Sequence, residues 1–213
     1  RRQRQMCIRD RCMDEDFYPA IFAQLAALAQ TMYEKNDAAA DAIDLGGGFG
    51  VSYRPGFSGP EPDACAKAIL TQIQALPEAL RGFSLQMSPG RFLAAACGTL
   101  VTRVRAVKPG PAPLAVLDVD PAQCPRLVKS GAYHPVYVPY AAGRRTLVQL
   151  LTVGTQDGPV MRRLLPELRP GDLVLIGMLG ADGRSLASRY GGAEPCLEHL
   201  IRPDGEIVPI TAY

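Results

Sequence analysis

The sequence predicts an α/β segment followed by an all-β domain. Three observations carry that reading. Up to about residue 97 the apolar residues alternate between helical and strand spacing. Beyond residue 99, short β-rich runs recur between turn residues. The chain of 213 residues is 47% hydrophobic and 21% charged, with 21 Gly and 19 Pro, which suits one large or two ordinary domains rich in turns and strands.

Arg1 to Arg11 is a basic run without periodicity. Its stretch from Gln5 to Arg11 resembles the translated remnant of a sequencing adaptor, so residues 1–11 read as an artefactual or disordered segment outside the fold. A basic tail or a phosphate-binding arm is the alternative. Asp14 and Asp16 can each cap a helix whose apolar set is Phe17, Ile21, Leu25, Leu28 and Met32. Ala42 to Leu45 forms a short strand that runs into Gly46-Gly47-Gly48-Phe49-Gly50. After a loop from Arg54 to Pro62, Asp63 can cap a second helix with face Ala66, Ile69, Ile73 and Leu76, and Phe83 to Met87 gives the next strand. Such alternation is the pattern of βα units around a parallel sheet or barrel, with chemistry at the C-terminal strand ends. Two βα units can neither close a barrel nor cover both faces of a sheet, so residues 12–97 read as the last part of a larger domain.

Strand-like runs follow at Thr99–Val107, Leu114–Leu117, Val136–Val138, Thr146–Val153, Leu173–Ile176, Leu197–Ile201 and Ile207–Ile210. Turn residues such as Arg169-Pro170-Gly171-Asp172 and Pro203-Asp204-Gly205 separate them. Residues 98–213 are therefore expected to form an antiparallel β-barrel or sandwich.

Composition narrows function. Lys plus Arg (23) against Asp plus Glu (21) leaves a net charge of +2, which gives no field to gather nucleic acid or an anionic membrane. Cys7, Cys12, Cys65, Cys97, Cys124 and Cys196 form no C-x-x-C pair, and only His134 and His199 accompany them, so no metal site is expected. Scattered cysteines read as small buried hydrophobes of a reducing, cytoplasmic compartment. A small-molecule substrate is the remaining class.

Two motifs can carry its chemistry. Successive glycines at Gly46, Gly47 and Gly48 after a strand let backbone N–H groups converge on an anion, or make a tight turn beside a neighbouring strand. Ser88-Pro89-Gly90-Arg91 leaves the next strand and opens a helix, which puts amides and the Arg91 guanidinium at the same sheet end. Neither is a Walker loop or a dinucleotide fingerprint.

These strings, followed by Gly131-Ala132-Tyr133-His134-Pro135 and the Gly171-Asp172-Leu173 and Gly177-Met178-Leu179-Gly180 turns, resemble in order and spacing the pyridoxal-phosphate-dependent ornithine, diaminopimelate and arginine decarboxylases, with the diaminopimelate branch the most similar. The resemblance implies a (β/α)8 barrel followed by a β domain, of which this chain has the last barrel part and the β domain. It implies pyridoxal 5′-phosphate held around Gly46, Gly47, Gly48, Ser88, Gly90 and Arg91. It further implies a small amino-acid substrate, diamino or basic, met by Arg91, Arg126, Tyr133 and Asp157, with His134 beside Tyr133, and a homodimer formed through both domains.

The sequence also departs from that family. Ser88 stands where the family has a glutamate facing the pyridine nitrogen, and a hydroxyl cannot hold that nitrogen protonated. Gln156 takes the position of a proton-donating cysteine. Leu179 replaces a tyrosine at the phosphate, and Val119-Asp120 replaces an Ala-Gly pair. None of Lys35, Lys67, Lys108 and Lys129 falls where the family keeps its Schiff-base lysine, so the chain alone is expected to be inactive. A catalytically silent paralogue with a regulatory or structural role, and an unrelated phosphate-binding barrel enzyme, are the alternatives.

Overall fold

A computed structural model describes residues 13–154 and 159–210. The segment 1–11, Gln156 and Asp157 lie outside the described residues. The chain divides into two compact units, Arg1–Ala96 and Cys97–Tyr213. Among the described residues no helix is long and apolar enough to cross a membrane.

In the first unit, α1 (Phe17–Asn36), β1 (Ala42–Gly47), α2 (Pro62–Ala75), β2 (Ser84–Ser88) and the short α3 (Gly90–Ala94) follow one another. The fully buried residues of α1 are Tyr18, Pro19, Phe22 and Ala26; of the face expected, Phe17, Ile21 and Leu25 pack partly buried against the same core, whereas Leu28 and Met32 are exposed. Tyr18 and Phe22 take the deepest positions, in one cluster with Ile43 and Leu45 of β1. Asp16 is the N-cap residue but makes no side-chain cap bond. The second helix starts earlier than expected, with Glu61 as N-cap and Pro62 at its first position, where a missing N–H costs nothing, while Asp63 sits in the first turn. Cys65 and Ile69 of α2 complete the core, and the Cys65 thiol contacts the Glu15 carbonyl at 3.3 Å.

β1 and β2 pair in parallel, Ala42 opposite Ser84 and Gly47 opposite Ser88, with a register irregularity between Asp44 and Gly47. Alternation buries Ile43 and Leu45 of β1, whereas β2 is exposed at every residue.

The second unit contains β3 (Leu100–Lys108), β4 (Leu114–Leu117), α4 (Pro125–Lys129), β5 (Val136–Tyr137), β6 (Thr146–Thr152), β7 (Met161–Leu165), β8 (Leu173–Ile176), β9 (Glu198–Ile201) and β10 (Ile207–Ile210). Among the described residues six strands form one sheet in the order β5-β8-β3-β4-β6-β7, and β9 with β10 forms a separate hairpin. The sheet is mixed, which corrects the expected antiparallel arrangement: β4 and β6 run parallel from Leu114 opposite Gln149 to Leu117 opposite Thr152. The long connection between them holds α4 and β5, enough chain to return in the same direction. β7 was not foreseen, because Met161-Arg162-Arg163-Leu164-Leu165 places two arginines mid-strand and masks the alternation.

One face of this sheet is apolar. Val104, Ala115, Leu117, Val148, Leu150, Val174 and Ile176 alternate inward and pack with Val119, Cys124, Leu127, Met161, Leu165 and Leu179. The sheet nearly closes on itself. Arg163 of β7 donates from Nε and Nη2 to the His134 carbonyl at 3.0 and 2.8 Å, just before β5, so the outermost strands are bridged.

Candidate active site

The glycine turn leaves the C-terminal end of β1. Gly46 and Gly48 have φ of +73° and +93°, which only glycine adopts without strain. Gly47 is glycine for a different reason: a Cβ there would lie 2.8 Å from the Ser88 carbonyl oxygen of the neighbouring strand. The two motifs are therefore adjacent, leaving the same end of a parallel pair.

Three contacts fix the turn. Asp44 Oδ1 accepts from the Gly46 N–H at 2.8 Å, so Gly46 contributes shape and not a donor to this site. The buried Tyr18 hydroxyl donates to the Gly47 carbonyl at 3.0 Å. Phe49 stacks on Tyr18 with centroids 5.3 Å apart and meets Phe92 of α3 edge-on at 5.0 Å. That second contact ties the glycine turn to the element bearing Arg91. Neither Phe49 nor Phe92 nor Tyr18 was singled out in the sequence, although aromatics next to both motifs were the available signal.

As a donor set this end of the first unit suits a phosphate. It has backbone amides in a left-handed glycine turn, a partly buried arginine at Arg91 and open space beside the Gly90 Cα, while the neighbouring Asp44 carboxylate, which would oppose an anion, is turned to the Gly46 N–H. Ser88 is exposed at the end of β2.

The remaining candidates lie in the second unit. Arg126 sits on α4, is 7% exposed, and its Nη1 donates to Asp182 Oδ2 at 2.7 Å. Sequence reading missed Asp182; the signal was a Gly-Ala-Asp-Gly turn whose aspartate takes φ +63°. Tyr133 is half-buried, with the Arg163 guanidinium 3.9 Å over its ring. His134 is fully buried, its Nδ1–H donating to the Gly177 carbonyl at 3.1 Å, so this histidine packs the interior and stands in no open site. Leu179 likewise belongs to the core, and its N–H donates to the Gly98 carbonyl at 2.9 Å. Asp120 accepts from the Ala122 N–H at 2.7 Å and shapes the turn that leads to α4. Among the described residues no cluster of three or more His, Cys, Asp or Glu side chains is placed to hold a metal ion.

Burial raises the Cys124 thiol to about 11, and it also raises Cys65 and Cys196. These three remain thiols at neutral pH.

No family model matches the chain. Diaminopimelate decarboxylase of Archaeoglobus fulgidus is 32% identical over 167 residues, an alignment that covers 76% of this chain and 40% of that protein. A diaminopimelate decarboxylase structure from Helicobacter pylori, in complex with L-lysine, has a TM-score of 0.77 and 25% identity, covering 92% of this chain and 48% of its own. Another, from M. jannaschii, has a TM-score of 0.82 at 21% identity over 92% of this chain and shares the fold. The chain spans less than half the length of the curated relatives it matches, 40% and 43% for the first two.

Proposed function

Since the chain belongs to the family of the diaminopimelate decarboxylases, whose length it covers in part, we propose that it is the C-terminal part of a pyridoxal-phosphate-dependent decarboxylase of a diamino or basic amino acid. On this reading residues 12–97 are the last part of a (β/α)8 barrel, residues 98–213 are the β domain, and the whole protein is a cytoplasmic homodimer. The observation that supports it best is the parallel register that sets Gly47 opposite Ser88, so that two anion-binding loops leave one sheet end together.

Pyridoxal 5′-phosphate, when bound, supplies a ring that accepts the electrons left as carbon dioxide departs. This chain's residues bind and orient. Gly47 and Gly48 with Gly90 would offer backbone to the phosphate, and Arg91 would balance its charge. Ser88, at the position where the family has a carboxylate, would offer the ring only a neutral hydroxyl, which would weaken electron withdrawal. Arg126 and Tyr133, together with Asp157, would meet the far end of the amino acid. Gln156 holds no titratable proton at neutral pH, and no lysine of this chain is assigned the covalent role.

Titration of the chain with pyridoxal 5′-phosphate and with pyridoxal, followed by ligand absorbance, tests the phosphate site. The phosphate-bearing compound should bind at least about tenfold more tightly, and Arg91→Gln should abolish the gap. Equal affinities in the unmodified chain refute the reading.

A further inference from the structure

We propose that the second unit carries a binding site for an α-amino acid with a large apolar side chain, at the end of its sheet where β3 stops and β4 and β6 begin. A cavity of about 430 Å³ opens there, within the size range of small-molecule sites. Val148 and Leu168, both buried, and the partly buried Val107 form its apolar floor. Arg144 and Glu167, both exposed, stand at its mouth. The chain leaves the opposite end of β4 to reach α4, and the cavity shares no residue with the site built on Arg126. None of its lining residues enters the decarboxylase reading, so the inference does not rest on that reading.

The two charges select the ligand. Thr146 of β6 lies opposite Leu165 of β7, and the same count carried past both strand ends brings Arg144 opposite Glu167. Yet neither makes an ion pair among the described residues. A plain anion would be opposed by Glu167, a plain cation by Arg144, and a hydrocarbon would use neither. A molecule with ammonium and carboxylate on one carbon answers both, its carboxylate taken by the guanidinium fork and its ammonium by Glu167. Its side chain then covers the apolar floor. One wall is set before a ligand arrives. Pro109, Pro111 and Pro113 stiffen the β3–β4 turn, and Gln149 holds it, its N–H donating to the Pro113 carbonyl at 2.8 Å and its Nε2 to the Ala112 carbonyl at 3.1 Å.

Three probes of one shape test this: L-phenylalanine, 3-phenylpropanoate, which lacks the ammonium, and 2-phenylethylamine, which lacks the carboxylate. Titrations of the chain are followed by the NMR signals of the Val148 and Leu168 methyl groups. Phenylalanine should move both signals saturably and bind at least about threefold more tightly than either analogue. Arg144→Gln should erase its advantage over 2-phenylethylamine alone, and Glu167→Gln its advantage over 3-phenylpropanoate alone. Both substitutions fall on exposed side chains, and the same spectra report whether each variant is folded; for one that is not, the analogue comparison on the unmodified chain decides. Equal binding of the three probes overturns the proposal, as do shifts that spare Val148 and Leu168, no saturable shift at all, or advantages that survive in the folded variants.

Discussion

The Gly47 Cα and the Ser88 carbonyl approach so closely that a methyl group on Gly47 would sit 2.8 Å from that oxygen. Both are backbone positions on paired parallel strands, so neither can yield by rotating a side chain. Gly47→Ala should therefore cost about 1–3 kcal/mol and splay the two loops apart. Urea unfolding should show the loss. A variant as stable as the parent would mean that the strands slide past each other at this point.

Arg163 reaches from β7 to the His134 carbonyl with two bonds and covers the Tyr133 ring at 3.9 Å. Hydrogen bonds from a charged donor contribute about 1.5–3 kcal/mol, so Arg163→Ala should lower unfolding free energy by about 2 kcal/mol. Arg163→Lys should recover little of it, since a point charge cannot make both bonds and lie flat on the ring. Full rescue by lysine would reduce the contact to simple charge.

Much of this was legible in the sequence because it depends on local pattern. The helix–strand alternation, the Gly46–Gly48 turn and the Ser88–Arg91 opening are each set by a few neighbouring residues. What escaped depends on pairing at long range. The parallel run of β4 and β6 needs the path of the intervening chain, and the Arg126–Asp182 pair joins residues 56 apart. A buried guanidinium announces that some carboxylate must come to it, but spacing alone does not say which.

Gly98 and Gly180 show the same dependence. A Cβ on Gly98 would overlap the Gly180 backbone, and the Leu179 N–H bonds across this contact to the Gly98 carbonyl. Gly98→Ala should cost about 3 kcal/mol and disturb the turn that carries Asp182. Melting would report the first effect, and hydrogen exchange at the Leu179 amide the second. A variant that melts like the parent and keeps the Leu179 amide protected would show that the turn tolerates a methyl group at this contact.

Cys124 lies in the apolar core of the second unit, and desolvation raises its thiol from 9.0 to about 11. Between those values the unfolded chain has lost the proton that the folded chain keeps, so the folded state binds more protons and stability falls as pH rises through this window. Below pH 9 the contribution is complete. The difference in unfolding free energy between the parent and Cys124→Ala should shrink from pH 9 to pH 11, measured by urea denaturation at each pH. Taking the difference removes the tyrosines and lysines that titrate in the same range. In the same protein, iodoacetamide at pH 8 should modify the exposed Cys97 while sparing Cys124 and Cys65 until the chain unfolds. A flat difference across the window, or early labelling of Cys124, would place its thiol in contact with water.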